Sequence, residues 1–418
     1  MRELKVYIEI RGSELLAGTI TGNDKADAVF TYDPEYLPLG APISVSLPFQ
    51  QAPFPPVVTS SFFEGLLPEG FSRKSVANWM HADEEDYLTI LAGLGKECLG
   101  AIRIDDCTEA GTDHPFYEEL SLGQVKQLAA EGATKSTELL VGSHLSLTGA
   151  SGKVGLFLHD GKWYQPFGTA PSTHIVKQSH VRLEHIVENE QLALRTAAKL
   201  GIPTISSFVI NTGSFRDSEV LLATERYDRD QVHAVRVING LCCPLRLHQE
   251  DFAQALGISG KAKYEREGDN YLRRIFRLVR DVSANPLKDQ LRLLDILIYD
   301  KLIGNTDNHI KNLSLLYSSD VRSARLAPAY DLLSTLVYRE STSDMSIAIA
   351  GEMRWDKITK ETFVQANREM GLSKKIIANE YGRLSSGFPA AIRESAEEME
   401  AEGFTNAPVV ARKVLDLR

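Results

Sequence analysis

The residues best placed to do chemistry lie in the second half of the chain, in Asn305-Thr306-Asp307-Asn308-His309-Ile310-Lys311-Asn312. Asp307 and Asn312 are five apart, the spacing of a D-x-x-x-x-N loop. There a carboxylate meets an attacking hydroxyl while an amide oxygen turns back to Mg²⁺. Asp331, in Tyr330-Asp331-Leu332-Leu333, adds a second carboxylate for the metal that neutralises the β- and γ-phosphates. Hard oxygen donors of this kind suit Mg²⁺, which keeps several of its waters. Two other readings stand beside this one. Asn305, Asp307 and Asn312 are also ordinary turn formers in a solvated loop. A zinc site of His309, Asp307 and Asp331 is the other, but no HExxH and no nearby cysteine supports it. On the phosphoryl-transfer reading His309 braces the loop.

A second set lies upstream. Leu145 to Phe157 reads as strand, small-residue turn and strand. Gly149 and Gly152 let backbone N–H groups converge into a phosphate nest. A plain glycine-rich hairpin has the same composition, and the GxxxxGK[ST] pattern is lacking. Thr173-His174-Ile175-Val176-Lys177 then ends a β-type run in a lysine, by itself the mark of an edge strand. The helix expected from about Leu183 to Leu200 places Ile186, Glu190, Ala193, Leu194 and Ala197 on one face. A carboxylate in that apolar stripe needs a cation, and Lys177 is the candidate. The pair would present an ammonium to nucleotide phosphates; the bland alternative is a glutamate snorkelling at the helix edge.

These groups need elements to position them. Leu287 to Leu302 repeats apolar residues at helical spacing and stops at Gly304, so a buried helix delivers the Asp307 loop. Strands at Leu313 to Tyr317 and Arg325 to Ala327 carry the chain on to Asp331. Ile205 to Ile210 and Val220 to Thr224 read as strands, the latter running into the charged stretch Glu225-Arg226-Tyr227-Asp228-Arg229, an apolar strand with a wet end. At the start, Leu4 to Ile10 and Leu15 to Ile20 alternate about a Gly12-Ser13 turn. Further strands are expected at Val29 to Tyr32 and Ile43 to Leu47, and helices at Ser72 to Met80 and Glu84 to Leu94. Ser121 and Gln124 form a capping box for a linking helix. Helices are expected again beyond Thr359 and Ser373.

The chain has 418 residues, enough for two or three domains, with 43% hydrophobic and 24% charged residues. That excludes a disordered or low-complexity chain. With 46 Lys+Arg against 56 Asp+Glu the formal charge is -10, which opposes autonomous non-specific binding to nucleic acid. Four cysteines without a CxxC pair point to a reducing cytoplasm. The first residues lack an apolar core like that of a signal peptide, and no apolar run is long enough to span a bilayer. A cytoplasmic protein with no membrane partner is the expectation.

The order of GLLPEG, LSLTGASGK, THIVK, ENE, ERYDR, RLHQEDFAQALG, KYE, GNTDNHIKN and LAPAYDLLS resembles the HipA-type serine/threonine kinases, the toxin halves of bacterial toxin–antitoxin pairs. The resemblance implies an α+β fold: a two-lobed protein-kinase-like catalytic domain, a small N-terminal α/β extension and a mostly helical large lobe. The boundaries would be 1–105 for the extension, 106–228 for the small lobe and 229–418 for the large lobe. By position it makes Ser146 the autophosphorylated serine and the turn Leu147, Thr148, Gly149, Ala150, Ser151, Gly152 and Lys153 the phosphate loop. It makes Lys177 the nucleotide-binding lysine and puts Glu225 and Tyr227 at the adenine hinge. Asp307 becomes the catalytic base, Asn312 and Asp331 the magnesium ligands, and His309 the histidine of the N-T-D-x-H pattern. Ser151 and Gly152 depart from the family's usual glutamine and polar or proline residue, which removes an amide and loosens the loop. ATP and Mg²⁺ are the implied cofactors. A small helix-turn-helix antitoxin is the implied partner, with DNA reached only through it; aminoacyl-tRNA synthetases are among the family's targets. A small-molecule or lipid phosphotransferase, or a nucleotide-binding interaction module, would use the same loop differently. Label leaving γ-ATP separates the enzymes from the module.

Overall fold

The structure is a computed structural model, and it describes residues 1–106, 114–131, 153–178, 183–233 and 236–417. The chain forms two compact units. The first comprises Met1–His180, Ile210–Gly260 and Leu316–Ser323, and the second Val181–Val209, Lys261–Leu315 and Ala324–Arg418. Strands dominate the first and helices the second, the α+β composition expected from sequence.

The first unit opens on an antiparallel sheet in the order Val29–Tyr32, Ser13–Gly22, Arg2–Ile10, Ile102–Asp106. Leu4, Val6 and Ile8 are wholly buried, as alternation demands. Ile10 pairs with Ser13, so Arg11 and Gly12 make a two-residue turn, both at positive φ (51° and 80°) as the twist of a tight hairpin favours. Helices Pro56–Phe63, Gly70–Trp79 and Tyr87–Leu94 follow, the last capped by the Asp86 side chain. Ile43 to Leu47, expected as a strand, is instead a turn closed by a Ser44–Leu47 bridge. Its polar groups are taken elsewhere: the Ile43 N–H donates to the Tyr32 hydroxyl at 3.0 Å, and the Ser44 hydroxyl to Glu250 at 2.5 Å.

A second sheet of the same unit runs Phe116–Glu119, Lys162–Phe167, Lys153–His159, His174–Gln178, Val220–Glu225. Val154, Leu156, Val176, Leu221 and Ala223 share its apolar face, covered by Leu120 and Val125. The capping box of Ser121 and Gln124 forms as expected.

The second unit is built on the helices Ile186–Lys199, Tyr271–Val282, Pro286–Ile303, Lys374–Ala401 and Ala407–Leu415. The Tyr299 hydroxyl donates to the Ala193 carbonyl at 2.7 Å, tying two of them together. Exposed pairs of Arg195 with Glu402 and Lys199 with Glu398, each 2.7 Å, rim the same face. Among the described residues no helix is long and apolar enough to cross a membrane.

Candidate functional site

The helix Pro286–Ile303 begins on a proline, where the missing N–H costs nothing, and ends at Gly304 in the left-handed region (φ 76°). That reversal throws the chain into the Asp307 loop. Each loop residue then has a definite task. Asn305, fully buried, donates through Nδ2 to Asp300 Oδ1 at 3.0 Å and accepts the Asp307 backbone N–H on Oδ1 at 3.1 Å. Asn308 donates through Nδ2 to the other oxygen of Asp300. The Thr306 N–H donates to the Thr335 hydroxyl at 2.9 Å. The Thr306 carbonyl accepts both the N–H (3.1 Å) and the hydroxyl (2.7 Å) of Ser346. Asp307 itself is exposed, with its carbonyl accepting the His309 N–H at 2.8 Å and Asn312 Nδ2 at 3.2 Å.

This arrangement leaves Asp307 exposed and sets the Asn312 amide. With its N–H₂ end committed to Asp307, Asn312 turns its oxygen the other way, as a ligand for a hard cation requires. Asp331 stands at φ 57°, a conformation aspartate tolerates better than most residues. The Tyr330 hydroxyl lies 2.7 Å from Ser314 Oγ and donates to the Lys311 carbonyl at 2.9 Å, tying the Asp331 turn to both flanks of Asn312. Asn189 adds a clamp from the helix Ile186–Lys199. Its Nδ2 donates to the Ser334 carbonyl (2.8 Å) and its Oδ1 accepts the Ser334 N–H (3.0 Å), so this helix and the segment after Asp331 move together. A cleft of about 330 Å³ borders Asp307, walled by Tyr264, Thr306, Met345, Ser346 and Met353.

Beneath the loop, burial pushes the Asp300 carboxyl up to about 7, although hydrogen bonds from Asn308 and Asn305 favour its charged form. Sequence reasoning missed this group. The signal was available, for Asp300 interrupts an apolar helix just as Glu190 does.

Glu190 (5% exposed), Asp307, His309, Asn312 and Asp331 belong to the second unit, and Lys153, Lys177, Glu225 and Tyr227 to the first. Lys177 lies in an interior strand, between Lys153–His159 and Val220–Glu225, which overturns the edge-strand reading. It faces Lys153 directly across the antiparallel pair. Ser146 and the turn 147–152 lie outside the described residues. Glu225 accepts from Gln231 at 2.8 Å, and the Tyr227 hydroxyl donates to Gln249.

The charged stretch after this strand is not wet. Arg226, Asp228 and Arg229 are buried. Arg226 and Arg229 donate to Glu97 Oε1 at 3.0 and 2.8 Å, Arg246 donates to Glu97 Oε2 at 2.9 Å, and Asp228 takes Arg226 at 2.7 Å. The anion that makes this possible lies about 130 residues away in sequence, where inspection of the local pattern does not reach.

In the second unit the Asn312 oxygen fits a hard cation such as Mg²⁺; in the first, Lys153 and Lys177 share a register position that suits the phosphates of a nucleotide such as ATP. Residues 145–392 match the HipA-like C-terminal domain and residues 8–105 the HipA N-terminal domain. Y4mE of Sinorhizobium fredii, bearing a kinase name, is 31% identical over 92% of this chain and 90% of its own. The serine/threonine-protein kinase toxin HipA of Shewanella oneidensis is 26% identical over 93% of this chain and 88% of its own. A chain of the solved complex of HipA, HipB and operator DNA from Shewanella oneidensis MR-1 superposes with a TM-score of 0.80 at 24% identity, covering 99% of this chain and 96% of that one.

Proposed function

We propose that this chain, which belongs to the HipA family, is an ATP-dependent serine/threonine protein kinase acting as the toxin of a toxin–antitoxin pair and phosphorylating itself. The observation that carries the reading is the Asp307 loop, in which an exposed aspartate stands on a backbone held by Asn305 while Asn312 gives its amide hydrogens to the Asp307 carbonyl. Asp307 orients the acceptor hydroxyl and takes its proton. Asn312 and Asp331 would hold Mg²⁺, which would supply charge neutralisation for the transferring phosphoryl group. Lys177, oriented by Glu190, and Lys153 with the turn 147–152 receive the phosphates, Glu225 and Tyr227 lie at the adenine hinge, and His309 braces the loop. Ser146 is the self-modified residue. The division 1–105, 106–228 and 229–418 gives an N-terminal extension, a small lobe and a large lobe. A small helix-turn-helix antitoxin is the partner, with DNA reached through it, and the target is a protein hydroxyl, an aminoacyl-tRNA synthetase being one class.

Asp307→Asn and Asp331→Asn test the roles. Each is expected to lower label transfer from γ-ATP at least on the order of a hundredfold while the far-UV circular dichroism stays unchanged. The Asp331 change should also weaken Mg²⁺-ATP binding more, because it removes a metal ligand. Normal transfer by either folded variant would sink its assigned role, and label passing only to a small molecule would replace the protein substrate.

A further inference from the structure

We propose that Tyr264 is a positioning residue for phosphoryl transfer: its phenol holds one oxygen of Asp307 and so fixes the plane of the carboxylate that meets the acceptor hydroxyl. The inference rests on Asp307 being the base. The Tyr264 hydroxyl donates to Asp307 Oδ1 at 2.8 Å, from a segment 43 residues earlier in the chain. Its ring meets His309 edge-on, with centroids 5.2 Å apart at 78°, and the Lys263 ammonium lies 5.4 Å from its centre.

The tyrosine is placed with care by its neighbour. The Glu265 N–H donates to the Ser346 carbonyl at 3.1 Å, and the Glu265 carboxylate accepts the N–H groups of Ala348 (2.7 Å) and Tyr271 (2.9 Å). Ser346 is also the residue that holds Thr306, next to Asp307. One residue of the strand Asp344–Ile349 thus anchors both the base and the phenol, and the contacts close into a ring: Thr306, Ser346, Glu265, Tyr264, Asp307. Tyr264 is 46% exposed, so burial of its ring is a poor reason for this investment.

The ring has a use. A carboxylate on an exposed loop rotates about two side-chain bonds, and each wrong rotamer takes the acceptor out of line. A donor on Oδ1 fixes the plane of the carboxylate that the incoming hydroxyl meets. In the step itself the acceptor oxygen bonds to the γ-phosphorus, the bond from that phosphorus to the bridging oxygen breaks, and ADP departs. The acceptor's proton passes to the Asp307 carboxylate. Tyr264 keeps its own proton throughout, so it acts through Asp307 and not as an acid.

The test compares Tyr264→Phe, Asp307→Asn and the double variant for label transfer from γ-ATP into protein, with Mg²⁺-ATP affinity measured by calorimetry. Tyr264→Phe should lower kcat on the order of tenfold or more with KM for ATP and Mg²⁺-ATP affinity unchanged. In the Asp307→Asn background the same change should cost nothing further, since the group it acts through is gone. Wild-type kcat in Tyr264→Phe, an undiminished loss in the Asp307→Asn background, or a weakened Mg²⁺-ATP affinity would each overturn the inference while Asp307 stays the base. Full transfer by Asp307→Asn would instead overturn the base assignment, and this inference with it.

Discussion

Glu97 in the first unit and Asp300 in the second are both almost wholly out of water, yet they are held in opposite ways. Burial alone pushes either carboxyl up. Around Glu97 the charges of Arg229, Arg246 and Arg226 overcome that and hold it well below the usual carboxylate range. Around Asp300 the donors are two neutral amides, burial prevails, and the group stands at about 7. A caged anion makes a rigid joint, here between the N-terminal residues and the stretch 226–246. An anion held by amides sits near its own titration point, directly beneath the loop that carries Asp307.

The largest effect should come from breaking the cage. Glu97→Gln leaves the guanidinium groups of Arg226, Arg229 and Arg246 facing one another without their shared anion. Removing one partner of a buried pair typically costs about 3–5 kcal/mol. Urea unfolding should show a loss of that order in the free energy extrapolated to water. A loss below about 1 kcal/mol would mean that the cage is replaceable packing.

An intermediate effect is expected from pH, with opposite signs at the two sites. Glu97 binds fewer protons folded than unfolded, so its contribution is full above the ordinary carboxylate pKa and is lost as the solution is acidified through the lowered value. Asp300 binds more protons folded, so its contribution is full below about 4 and is lost as pH rises toward about 7, beyond which it is flat. Relative to Asp300→Asn, the wild-type protein should lose about 1.4 kcal/mol per pH unit across that window. His174 and His248, both lowered to about 4 by burial, are neutral over most of it. Unfolding free energies of the two proteins at several pH values provide the check; parallel curves would remove Asp300 as a titrating group.

The smallest effect should be at the surface. Arg195→Ala and Lys199→Ala each break exposed pairs, with Glu402 and Glu398. Such pairs are worth about 0–1 kcal/mol and fade with salt. Thermal melts at low and high ionic strength should show only a small, salt-sensitive difference. A loss matching that of Glu97→Gln would erase the distinction between caged and solvated charge.

Much of this molecule follows from its local sequence. Alternation at Leu4, Val6 and Ile8 yields a strand, and the apolar period from Leu291 to Leu302 yields a helix that Gly304 ends. The five-residue spacing of Asp307 and Asn312 names the candidate chemistry before any coordinates. Such features depend on backbone dihedrals and side-chain direction, which are set within a turn or two of the chain. Tertiary structure alone decided the state of the charges. Arg226, Asp228 and Arg229 read as a solvated end until Glu97 arrives, and Lys177 reads as an edge lysine until its strand is paired on both sides. Tyr264, part of the KYE motif, has no assigned task until its hydroxyl is found on Asp307. The reason is physical: a polar group's cost and use depend on the partners and the water around it once folded. Those partners are chosen by packing between segments tens to hundreds of residues apart.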